Sequence, residues 1–64
     1  MKHLIGKAVR VWFLNGFNYI GIVHNVEENL VFLTEVFSTE SGHDRRNDMV
    51  INTYSLEFVR IELR

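Results

Sequence analysis

Between Lys7 and Leu14 the apolar positions recur with the period of a pleated strand, placing Val9, Val11 and Phe13 on one face and Ala8, Arg10, Trp12 and Leu14 on the other. Asn15-Gly16 follows directly. That dipeptide predicts a hairpin with a type I′ turn, whose two central residues need the positive φ that Asn and Gly tolerate. The return strand is expected from about Phe17 to Glu27, with Phe17, Tyr19, Gly21 and Val23 on one face and Asn18, Ile20, Ile22 and His24 on the other. Both faces are partly apolar, and Gly21 in mid-strand predicts a sharp bend or bulge of the kind that curls a sheet through a corner. Glu28-Asn29 reads as a tight polar connection into a third strand, Leu30 to Phe37, rich in β-branched and aromatic residues.

From Ser38 to Asp48 the chain is polar and aperiodic, which predicts a loop or a frayed hairpin tip. A short fourth strand is expected over Met49 to Asn52, a turn over Thr53 to Ser55, and a last strand over Leu56 to Leu63. In that strand Val59, Ile61 and Leu63 point one way and Arg60, Glu62 and Arg64 the other. Only Met1 to Gly6 has room for helix, and a single turn there depends on packing because isolated short helices do not hold themselves. The expected fold class is therefore all-β, with one short N-terminal helical turn and five short, strongly bent strands curled into an SH3-like barrel. The rival arrangement is a flat meander that would have to dimerise.

Composition narrows this further. A chain of 64 residues and 7.6 kDa holds one domain, residues 1–64, and buries only about 60% of its unfolded surface. It has no cysteine, and its three histidines, His3, His24 and His43, stand far apart, so neither disulfides nor a metal is expected as a staple and no cofactor is implied. Oligomerisation remains. Seven Lys and Arg against eight Asp and Glu give a net charge of -1, so nothing draws the whole molecule to phosphate and any nucleic-acid contact must be local. At 47% hydrophobic and 23% charged, the composition is that of a globular chain. No signal-type apolar segment opens it and no apolar run approaches the roughly 18 residues of a membrane span, so a cytoplasmic location away from membranes is expected.

The run Val9-Arg10-Val11-Trp12-Phe13-Leu14-Asn15-Gly16, followed by Gly21-Ile22-Val23, resembles the first Sm motif of the Sm and LSm family, which includes the bacterial RNA chaperone Hfq. Glu27 falls where the family has an acidic residue that supports a loop by hydrogen bonds, and Leu30 to Leu33 fall on its third-strand core. The second motif aligns with Ile51-Asn52-Thr53, then Leu56 and Val59, so the likeness runs from Leu4 to Leu63. Asn52-Thr53 stand in place of the family's Arg-Gly, or of Hfq's Lys-His, and Glu28 and Asn29 in place of its stacking residue. The resemblance implies an Sm-like barrel assembled into a homo-oligomeric ring of six or seven subunits. It also implies binding of single-stranded RNA as a chaperone or RNA-processing scaffold.

On that reading Asn29, Asn52 and Thr53 lie together at the pore-side rim, where amides and hydroxyls read base edges. The plainer reading makes all three turn residues, selected for conformation. Arg45 and Arg46, beside His43, form the one concentrated basic stretch and a second candidate RNA contact, although Asp44 and Asp48 offset them as in an ordinary solvated loop. Among the aromatic residues most are expected in the core, with Trp12 and Tyr54 the candidates for exposure. His43-Asp44 is an acid–base pair only as a dipeptide, and no nucleophile motif or Gly-rich phosphate loop is present, so neither an enzyme nor a small-molecule substrate is expected. The alternative to an RNA-binding ring is an SH3-like interaction or structural module with no nucleic acid.

Overall fold

The computed structural model describes residues 1–38 and 47–64. A 3-10 turn at Lys2–Leu4 precedes five strands: β1 Ala8–Phe13, β2 Asn18–Glu27, β3 Leu30–Ser38, β4 Asn47–Asn52 and β5 Phe58–Leu63. They form one antiparallel sheet in the order β4-β3-β2-β1-β5. The sheet wraps around a single core. Val9 and Val11 of β1, Val23 and Val26 of β2, Val31, Leu33 and Val36 of β3 and Ile51 of β4 are buried together under Leu4, and Phe58 and Ile61 of β5 pack against the same cluster. Gly6 donates to the Val23 carbonyl and Val23 donates to that of Lys7, which ties the link between the 3-10 turn and β1 to β2 and holds Leu4 in place.

Curvature comes from bulges. Ile20 pairs with Phe37 and Ile22 with Thr34, so β3 carries an extra residue there, and Glu35 takes it up with a φ of 55°. Opposite lies Gly21, where an added Cβ would stand 3.0 Å from Val36 Cγ2 and 3.2 Å from the Thr34 carbonyl oxygen. The expected mid-strand bend is thus present, and Gly21 is needed for close approach, not for a special φ.

Three expectations are corrected. The β1–β2 loop is not a type I′ turn: only Gly16 takes positive φ, at 90°, while Phe13 accepts from the Gly16 amide and donates to the Phe17 carbonyl. This is a G1-bulge loop, and the Asn15 side chain closes it by accepting from the Phe17 amide at 2.9 Å. The last strand begins at Phe58 instead of Leu56, and its register slips against β1 between Trp12↔Arg60 and Phe13↔Phe58. Val59 is the extra residue, so Phe58 and Ile61 face the core while Val59 is exposed. The core centre is built from Leu33 and valines rather than aromatics, with Phe13, Tyr19 and Phe58 partly buried around it and Phe17 exposed. A barrel this narrow has room for β-branched side chains on its axis and for rings only toward its ends. Ile20 is buried on the outer face, opposite Arg10 on β1 and Phe37 on β3.

Candidate nucleic-acid interface

The β2–β3 turn and the β4–β5 turn meet at one end of the sheet because Leu30 pairs with Asn52, the last residue of β4. Asn29 Nδ2 donates to Asn52 Oδ1 at 2.6 Å. Thr53 donates twice to the Asn29 carbonyl, through its amide at 2.9 Å and its hydroxyl at 3.0 Å. Asn52 Oδ1 also accepts from the Tyr54 amide at 2.9 Å, the side-chain turn that makes Asn a frequent starter of such loops. Asn29, Asn52 and Thr53 are therefore brought together, as the sequence reading expected. Their mutual bonds also shape the two turns. Among the described residues the two amides retain, outside those bonds, Asn29 Oδ1 as an acceptor and Asn52 Nδ2 as a donor, a pairing suited to the edge of a base. Tyr54, 81% exposed, stands beside them.

Glu27 does not brace this loop. It accepts from Asn25 Nδ2, two residues back on its own strand, at 3.3 Å. The connection is shaped instead by Glu28, whose φ of 53° turns the chain between Glu27 and Leu30. Arg45 and Arg46 lie outside the described residues. Among the described residues no group of His, Cys, Asp or Glu is placed to hold a metal.

Alongside the Asn52 end, between β4 and the β1–β2 loop, opens a cleft of about 380 Å³. Phe13, Phe17, Tyr19 and Met49 supply its apolar wall, and Asn15, Asn52, Ser55 and Glu57 its polar groups. Phe13 and Tyr19 meet edge to face with centroids 5.7 Å apart.

A second group of charged side chains lies on the outer face of β1 and β5. Trp12 Nε1 donates to Glu62 Oε1 at 3.1 Å, Arg60 Nε to Glu62 Oε2 at 2.6 Å, and Arg60 Cζ stands 4.9 Å from the Trp12 ring centroid. Arg10 Cζ is 5.6 Å from the same centroid. The hydrogen bonds from Arg60 and Trp12 hold the Glu62 carboxyl below its ordinary value, against a small opposing effect of desolvation. Nothing in the sequence alone brings this group together. Arg10 and Arg60 are fifty residues apart, and only the β1–β5 ladder makes them neighbours.

Among solved structures, the chain is similar to an Sm-like archaeal protein from Pyrobaculum aerophilum, with a TM-score of 0.74 and 24% sequence identity. The fold is Sm-like. The match covers 94% of this chain and 44% of the archaeal one, so the chain spans less than half of that protein's length. No protein-family model and no curated protein matches the chain. In this Sm-like sheet β4 and β5 are the two outer strands, and Val50, Val59 and Leu63 on them are exposed. No helix among the described residues is long and apolar enough to cross a membrane.

Proposed function

We propose that the chain is the subunit of a homo-oligomeric ring, of six or seven copies, that binds single-stranded RNA as a chaperone or processing scaffold. The observation that carries this reading is the joining of Asn29, Asn52 and Thr53 at the end of an outer strand, in a fold of Sm-like type. The edges of β4 and β5 are different surfaces of one subunit, and pairing one with the other in the next copy is a head-to-tail contact that closes into a ring when the rotation allows. It would also cover Val50, Val59 and Leu63 and remove the exposed sheet edges. With a net charge of -1, affinity rests on hydrogen bonds repeated around the ring, and its salt dependence is shallow.

Light scattering coupled to size exclusion tests the ring, and a monomer at micromolar concentration ends that part. For RNA, oligo-U and oligo-A are titrated across a salt series against wild type, Asn52→Asp and an Arg45→Ala/Arg46→Ala double variant. Asn52→Asp keeps the acceptor that Asn29 and Tyr54 use and removes the Nδ2 donor, so it separates base reading from turn stability. Loss of binding in Asn52→Asp alone supports the rim, whereas loss in the double variant alone moves the site to Arg45 and Arg46. Absence of RNA binding at low salt favours the second reading, an SH3-like module, for which the aromatic cleft beside Phe17 and Tyr19 is the docking groove.

A further inference from the structure

The outer face of β1 and β5 holds more positive charge than its partners use. Glu62 is engaged by Arg60 and by Trp12, one carboxylate oxygen each. Arg10 and Arg64 line a neighbouring polar cleft of about 230 Å³ together with Glu62 and Leu63. Arg10 Nε is buried without a hydrogen-bond partner among the described residues, which is uncommon for a guanidinium nitrogen taken out of water. Arg64 is carried to the cleft by its backbone, whose amide donates to the Ala8 carbonyl at 3.0 Å. Among the described residues the side chains gathered here are three guanidiniums and one carboxylate, on a chain whose net charge is -1.

We propose that this cleft is an anion site that takes a phosphate group, with Arg10 and Arg64 as its ligands and Glu62 as the residue that limits its affinity. Guanidinium groups match phosphate oxygens in geometry as well as charge, and a phosphate between Arg10 and Arg64 would accept from both. Arg60 has a different task. It shares the Glu62 carboxylate with Trp12 through a short bond, while Arg10 acts on Glu62 through charge alone. The site is separate from the Asn29–Asn52 rim and does not depend on base recognition. A free phosphate, a nucleotide and an RNA backbone all present the same group.

Trp12 reports on the site, because it is the only tryptophan and both Arg10 and Arg60 lie over its ring. The experiment follows Trp12 emission while the chain is titrated with inorganic phosphate, with uridine monophosphate and with oligo-U, each at ionic strength held constant with sodium chloride. Expected is a saturable change that is absent with chloride alone. Arg10→Gln and Arg64→Gln should each weaken it about tenfold or more, the loss of a charged hydrogen-bonding partner. Glu62→Gln should tighten it, which a merely structural Glu62 would not do. Asn52→Asp should leave it unchanged, so failure of the RNA reading does not remove this site. Saturation by phosphate or the mononucleotide assigns the site to a free ligand, and saturation by oligo-U alone assigns it to the RNA backbone. The proposal is overturned if no ligand gives a saturable response, or if Arg64→Gln, a change at a surface position that the fold does not need, titrates as wild type.

Discussion

Glu28 turns the chain between β2 and β3 with a φ of 53°, a conformation that costs an L-residue about 1–2 kcal/mol. Glycine relieves that strain but has about 0.5–1 kcal/mol more backbone entropy to lose on folding. Glu28→Gly is therefore expected to stabilise the chain by up to about 1 kcal/mol, seen as a higher urea midpoint at unchanged slope and fixed protein concentration; a lower midpoint would mean that the Glu28 side chain makes a contact of its own. Glu62 gives a pH prediction. Its folded pKa lies below the ordinary 4.5 because Arg60 and Trp12 hydrogen-bond the charged form. The resulting stability is complete above the unfolded value and is lost as pH falls through the folded one. Its size is small, since the group is exposed to solvent and screened. Acid titration followed by NMR should place the Glu62 midpoint below that of a free glutamate, and Arg60→Gln should move it upward.

Within β5, one inserted residue decides which side chains reach the core. Strict alternation from Leu56 puts Val59 inside with Ile61, but the bulge opposite Trp12 and Phe13 leaves Val59 exposed and turns Phe58 inward. Val59→Thr should change monomer stability by less than about 0.5 kcal/mol, as for other surface positions, whereas Ile61→Ala should cost about 1–2 kcal/mol, less than for a fully buried isoleucine because Ile61 is only partly buried. Equal losses in chemical denaturation would restore the unbulged register. The turns at the Asn52 end follow the same logic at the level of two elements. Asn29 and Thr53 are remote in the chain, and the pairing of Leu30 with Asn52 makes them one unit.

A chain of 64 residues whose two outer strands each keep one edge open among the described residues has little core with which to stabilise itself alone. If edge pairing between copies supplies the remainder, the melting temperature rises with protein concentration, because only the folded state assembles. A melting temperature independent of concentration over a hundredfold range, with a monomer mass throughout, would contradict the ring. The element order, the Gly21 bend and the five strands were legible in the sequence, since each depends on local chemistry: alternation, β-branching, turn residues and a glycine where a strand must be approached closely. The meeting of Asn29, Asn52 and Thr53 was legible only through the resemblance to Sm proteins, because nothing in a single turn tells which other turn it will touch. The G1-bulge loop at Asn15-Gly16, the slip at Val59 and the convergence of Arg10, Trp12, Arg60 and Glu62 were settled by the tertiary structure. The sequence by itself determined the strands and where they turn, because those preferences belong to a residue and its immediate neighbours. Register, bulge placement and the charge on each face depend on which strands pair and at what offset, and that is decided only when the sheet closes around its shared core.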